Sequence, residues 1–296
     1  MTQQLALQAQ EVRMLNERLQ ELNRGLEASI ANRTEELKQS NENLARKAAE
    51  LVRMDAARRK LLSNISHELR TPMTSIRGYV EAILDNLFAT AEEQRHYLQL
   101  VLSKMIGLSR LIADLFELSK LESGQPDLHF RTVPVAVFLE RTRQKHEPDV
   151  VHSGLRFVWS EDGLKGLAPH VSVVLDPERI DQVLTNLISN AVRYTPPNGE
   201  IRLRFAVRQG QRGGEPAQEL VVEVEDTGSG IAEQDLPFIF ERFYRGKDRA
   251  PGGSGLGLAI AKEIVTYHGG SLWVHNREGA GSVFGFTLLL YEETES

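Results

Sequence analysis

Apolar residues in the first sixty positions recur at a spacing that a helix turns into one face. Leu5, Val12, Leu19 and Leu26 fall every seven residues, with Leu15 and Leu22 as companions, and Ile30, Leu37, Leu44 and Leu51 resume the repeat. Such a stripe on a lone helix would stand in water, so the pattern predicts a coiled coil over residues 1–60. Leu19 to Ile30 spans eleven residues, a stutter beside Gly25 that locally unwinds the supercoil. A second helical stripe runs from Leu62 through Leu69, Met73 and Val80 to Leu87, and a third from Tyr97 through Leu108 to Leu121. The short DNLFATAEE connection makes these two an antiparallel hairpin over residues 61–123, with a kink expected at Pro72. Two helices cannot bury both stripes alone, whereas two hairpins can do so as a four-helix bundle, which predicts a homodimer.

Beyond SGQPD the period changes. Residues 124–133 read as a linker, and from 134 to 296 short alternating runs are interleaved with helical ones. LRFVW, VSVVLD, EIRLRFAV, ELVVEVED, SLWVHN and SVFGFTLLL read as strands; Val135–Glu147, Glu178–Tyr194 and Leu256–His268 read as helices. The result is an α/β domain, with the polar, glycine-rich QGQRGGEPAQE taken as a hairpin loop. Composition narrows the class further. The net charge of −6 offers no footprint for nucleic acid, and the absence of cysteine excludes disulfides and thiolate chemistry. No apolar run approaches a membrane span and no secretory signal opens the sequence, so a cytoplasmic chain without membrane contact of its own is expected, its sensor missing or separate.

Several short stretches carry chemistry. His67 in SHELRTPMTSIRG lies about 140° round the helix from Leu62, off the apolar stripe, with Glu68 beside it. In DQVLTNLISNAVRYTP, Asn186, Asn190 and Arg193/Tyr194 share a helix face, and an Asn carbonyl is an oxygen ligand suited to Mg2+. DTGSGI ends a strand with a carboxylate, Asp226, able to accept from the exocyclic amine of adenine. GGSGLGLAIAKEI runs glycines into a helix N-terminus, where free N–H groups and the helix dipole favour phosphate. Its G-x-G-x-G spacing is neither a Walker A loop nor a dinucleotide fingerprint.

The order SHELRTP, NLISNAVRYT, DTGSGI, FIFERFYR, GGSGLGLAI, GAGSVF resembles the sensor histidine kinases of two-component systems over roughly Arg59 to Leu290. The resemblance implies a multidomain fold: an N-terminal coiled coil, a helical hairpin forming a dimeric four-helix bundle, and an α/β sandwich ATP-binding domain of the Bergerat type. It implies ATP and Mg2+ as cofactors and a response regulator receiver domain as partner. By the same resemblance His67 is the phosphoacceptor, Glu68 its neighbouring base, and Thr71 the position used in dephosphorylating the regulator. Asn190 matches the Mg2+ ligand, Asn186 a supporting contact, Tyr194 an adenine-packing residue and Asp226 the adenine reader. Gly228 and Gly230 complete that box, and Gly253, Gly255 and Gly257 match the phosphate loop. Phe240 and Phe243 match anchors of a mobile lid expected around Arg245 to Ser254, and Arg245 the residue that meets the γ-phosphate. Arg193 stands where the family commonly has Lys, a fork in place of a point charge. Two alternatives are an ATP-operated clamp ATPase, which shares the catalytic domain, and a non-catalytic dimer scaffold.

Overall fold

The computed structural model describes residues 2–85, 87, 90–123, 127–168, 170–212, 215–246, 254–277 and 281–292. The chain divides into two compact units at Ser66/His67. The first is helical throughout, as the N-terminal part of α1 (Thr2–Leu84). Its repeat positions from Leu15 to Leu51 stand 52% to 67% exposed, an apolar stripe with nothing over it in the single chain.

In the second unit α1 continues through Pro72 without ending there. Helix α2 (Ala91–Glu122) starts at a capping box. The Thr90 hydroxyl accepts from Glu93 N at 3.2 Å while Thr90 N donates to the Glu93 carboxylate at 3.3 Å, so two orphan donors of the first turn are satisfied. Tyr79 and Tyr97 meet edge-on at 5.5 Å between ring centres and hold the two helices side by side.

The α/β lobe comprises β1 (Arg131–Pro134), α3 (Val135–His152), β2 (Arg156–Gly163), β3 (Val171–Leu175) and α4 (Pro177–Tyr194). There follow β4 (Glu200–Arg212), β5 (Glu215–Asp226), a 3-10 turn at Leu236–Phe238, α5 (Gly257–Tyr267), β6 (Leu272–Asn276) and β7 (Ser282–Glu292). The strands form one sheet in the order β1-β3-β7-β5-β4-β2, with β6 also paired to β7. Every pairing is antiparallel except β2 with β4.

Alternation along β4 decides the layers. Ile201, Leu203 and Phe205 point into the core, while Arg202, Arg204 and Arg208 point out and pair with Glu225, Glu223 and Glu219 of β5. The inner face meets Ile180, Val183, Leu184 and Leu187 of α4 and Ile260, Ile264 and Val265 of α5. Each such side chain contributes about 1.5–3 kcal/mol by burial, against about 0–1 kcal/mol for a surface ion pair. The core therefore sets stability, and the outer charge ladder favours this strand register. Leu111, Leu118 and Leu121 of α2 belong to the same core cluster, so the end of the hairpin and the lobe share one apolar interior.

Among the differences from the expected elements, β2 runs on past Trp159 to Gly163. Strand β1 falls in the stretch expected as linker, α3 runs on through Pro148 to His152, and the β4–β5 ladder extends to Arg212 opposite Glu215. The hairpin loop is correspondingly shorter than QGQRGGEPAQE.

Asp176 fastens three segments at the start of α4. Its carboxylate accepts from Glu178 N and Arg179 N within the helix and from His129 N at 2.8 Å, and its own N–H donates to His268 Nε2 at 3.0 Å. His268 Nδ1 lies 2.7 Å from Ile264 O, so the ring is the neutral tautomer with its proton there, and burial lowers its basicity. Burial alone would raise the Asp176 carboxyl, but the three N–H donors hold it below the ordinary aspartate range. Its stabilisation is therefore complete above about pH 4 and is lost as pH falls through the depressed value. Asp176→Ala should cost about 2 kcal/mol and flatten the acid limb of stability against pH; urea titrations of both proteins between pH 2 and 7 check this.

Candidate nucleotide and phosphoacceptor sites

Helix α4 presents Asn186, Asn190 and Tyr194 one turn apart on one side. The Asn186 amide donates to Gly257 O at 3.0 Å, which fixes α4 against the first residue of α5, and a Cβ on Gly257 would lie 3.2 Å from Asn186 Oδ1. Asn190 is half-buried, and among the described residues its amide makes no hydrogen bond. A free amide oxygen is the kind of donor that Mg2+ accepts, so this residue fits the expected ligand role. Tyr194 is 45% exposed at the end of the helix, with Arg193 exposed beside it.

Opposite this end of α4, strand β5 delivers Asp226, only 3% exposed. Its Oδ1 accepts from Gly228 N at 2.7 Å, and the Ser282 hydroxyl of β7 donates to Oδ2. Close packing explains the glycines around it. A Cβ on Gly228 would lie 2.5 Å from Tyr194 O, and one on Gly281 would lie 2.0 Å from Asp226 O. Gly230 holds φ at +73°, which other residues rarely adopt.

A clasp follows at the expected lid. Phe243 N donates to Gly255 O at 2.9 Å, and both residues have positive φ, 59° and 69°. For phenylalanine that conformation is strained, and the surrounding contacts hold it. Phe243 and Phe240 pack on the core, Phe240 edge-on to Phe284. The Tyr244 hydroxyl donates to Asp235 at 2.7 Å, and Arg245 follows half-buried. Gly253, and with it residues 247–253 of the expected lid, lies outside the described residues.

The N-terminal end of α5 is tied to α2. Ser254 Oγ accepts from Leu256 N at 3.2 Å and donates to Asp114 at 2.8 Å. Further along α2, Glu117 holds Arg179 and accepts from Gln182 at 2.6 Å, and the Tyr267 hydroxyl donates to Leu121 O at 2.6 Å.

On the other helix of the hairpin, the His67 side chain is 77% exposed, with Nδ1 3.7 Å from Glu68 Oε1. That leaves Nε2 directed away from the carboxylate. The Thr71 hydroxyl donates to His67 O at 3.2 Å, one turn back.

Two family models match the chain: the His Kinase A (phospho-acceptor) domain at residues 57–124, and the histidine kinase-, DNA gyrase B- and HSP90-like ATPase at residues 175–292. The chain belongs to the two-component sensor histidine kinases. Sensor histidine kinase WalK of Bacillus subtilis (strain 168) is 34% identical over 256 residues, covering 83% of this chain and 39% of that protein. This histidine kinase sequence thus spans well under half the length of that curated relative. Acinetobacter baumannii histidine kinase AdeS is similar in structure, with TM-score 0.56 and 28% identity over 75% of this chain and 97% of that one. Full-length ShkA in complex with AMPPNP gives TM-score 0.54 at 26% identity, covering 80% of this chain and 47% of that chain.

Sequence reasoning does not single out Ser282 or Asp114, and names Ser254 only as the end of the expected lid. Ser282 stands inside the GAGSVF box, which is the available signal; Asp114 reads as an ordinary polar-face residue. Burial raises the Asp114 carboxyl above the ordinary aspartate range, partly offset by the Ser254 hydrogen bond and the Arg110 charge. The docked lobe then binds that proton more tightly than the undocked one, so docking is strongest at low pH and weakens as pH rises through the shifted value. Asp114→Asn should remove this dependence, which energy transfer between labels on α2 and α5 across pH 3–7 would read; superimposable profiles for variant and parent would refute it.

Proposed function

We propose that this chain is an ATP-dependent protein histidine kinase that phosphorylates His67 and passes the phosphoryl group to an aspartate of a response regulator receiver domain. The observation that carries it is an exposed imidazole with one nitrogen facing a carboxylate, on the hairpin of a chain whose lobe holds a buried carboxylate and a glycine-rich helix start. Family membership, and the similarity to a ShkA structure that holds the nucleotide analogue AMPPNP, support ATP as the donor.

In this reading Asp226 accepts from the exocyclic amine of adenine, Tyr194 packs on the base, and the N–H groups at the start of α5, with Gly253, Gly255 and Gly257 before and at it, cradle phosphate. Arg245 and Arg193 supply positive charge to the phosphates, and Phe240 and Phe243 anchor the lid. Mg2+, when bound through the Asn190 amide oxygen, neutralises phosphate oxygens. His67 Nε2 attacks the γ-phosphorus in line, the bond to the bridging oxygen breaks, and its electron pair leaves on ADP. Glu68 stabilises the positive charge that develops at Nδ1–H. Positioning supplies most of the rate, and the lobe must release its hold on α2 to present ATP to the histidine.

The exposed stripe of α1 and the exposed apolar residues of the hairpin, including Met73, Leu102, Met105 and Phe116, support a parallel homodimer. Among the described residues no helix is long and apolar enough to cross a membrane. The use of ATP and the cysteine-free composition support a cytoplasmic location. Thr71 keeps its oxygen lone pairs while donating to His67 O, and so retains the means to orient water for hydrolysis of the regulator's acyl phosphate.

Labelled ATP should place an acid-labile, alkali-stable phosphoryl group on the parent chain and none on His67→Gln; label surviving in that variant would sink the assignment. Free phosphate without labelled protein would instead mark a clamp ATPase. Asp226→Asn should weaken ATP binding on the order of ten- to hundredfold, the scale of a lost hydrogen bond to a charged group. Thr71→Ala should keep autophosphorylation and transfer while losing regulator dephosphorylation in the presence of ADP.

A further inference from the structure

The loop from Asp226 to Ile231 is held at both ends by one pair of residues. Asn276, the last residue of β6, and Ser282, the first of β7, are cross-strand partners. Ser282 binds the Asp226 carboxylate at the start of the loop. Asn276 takes the other end: its Oδ1 accepts from Ile231 N at 2.8 Å and its Nδ2 donates to Ile231 O at 2.7 Å. An amide side chain here imitates a backbone and pairs with Ile231 as a neighbouring strand would, although Ile231 belongs to no strand.

Space around the loop is consistent with such a clamp. A Cβ on Gly230 would lie 3.2 Å from Asn276 Oδ1, and Gly228 already rests against Tyr194 O. The chain between the fixed ends is therefore confined between the end of α4 and the end of the β6–β7 pair. Asn276 itself is exposed, and its two hydrogen bonds compete with water. Losing them leaves the core intact but frees one end of the loop, whose shape sets where the Asp226 carboxylate and the Gly228 N–H stand relative to a bound base. A carboxylate that must meet one amine geometrically is sensitive to shifts of a fraction of an ångström.

We infer that Asn276 is a positioning residue for base recognition, which clamps the adenine-reading loop through Ile231 without touching the nucleotide. The inference rests on Asp226 reading adenine. The test compares ATP and GTP affinity in the full chain for the parent, Asn276→Ala, Asn276→Asp and Asp226→Asn, by competition against a fluorescent ATP analogue. Asn276→Ala should weaken ATP about five- to tenfold and GTP much less, so that discrimination falls, with the melting temperature nearly unchanged. Asn276→Asp should not restore it, because a carboxylate oxygen then opposes Ile231 O. Equal weakening of both nucleotides would mean a merely structural role, and unchanged affinity for both would mean none; either overturns the inference. Asp226→Asn separates the two levels: discrimination retained in that variant defeats the adenine reading itself, whereas its loss there with retention in Asn276→Ala defeats only the clamp.

Discussion

A carboxylate 3% exposed is tolerable only when its oxygens are met, and the lobe is arranged around meeting those of Asp226. One oxygen takes the Gly228 N–H, the other the Ser282 hydroxyl from a strand 56 positions away. Those two contacts require β5 and β7 to be neighbours, which the sheet order provides, and require the chain to turn within two residues of the strand end, which the glycines permit. The end of α4 lies against the same turn, with Tyr194 O beside Gly228. The lobe thus keeps one acceptor dry at the position where the proposed function puts a base.

The second constraint is that the same lobe shares its core with α2. Leu118 and Leu121 are buried there, while Asp114, Glu117 and the carbonyl of Leu121 bind the phosphate-loop end, the start of α4 and the end of α5. The polar contacts are few and partly solvated, worth about 1 kcal/mol each, so the shared apolar interior carries most of the association.

Much of this is readable from residue order. Period and punctuation locate α1, α2, α4, α5 and most strands, and the motif boxes point to Asp226, Asn190 and His67. What escapes does so for physical reasons. Strand β1 is four residues ending in proline, and its pairing with β3 is a tertiary event. The Gly and Pro of the β4–β5 tip suggest a loop, yet the hydrogen-bond ladder continues past Gly210 and Pro216 because the partner strand is in register there. Pro148 lies in α3 without stopping it, since complete burial of Val150 in the turn that follows offsets one lost hydrogen bond. Asn276 stands in the sequence only as the end of a strand, because its partner lies 45 residues away. Side-chain bonds across such separations leave no periodic trace.

The proposed function turns on one event, the phosphorylation of His67 by ATP held at Asp226. Phosphorus NMR of the purified chain with Mg-ATP, followed by peptide mapping at alkaline pH, observes that event itself. The expected result is a phosphoramidate resonance, assigned to the His67 peptide, growing as ADP forms; ADP and free phosphate with no phosphoramidate on that peptide would contradict it.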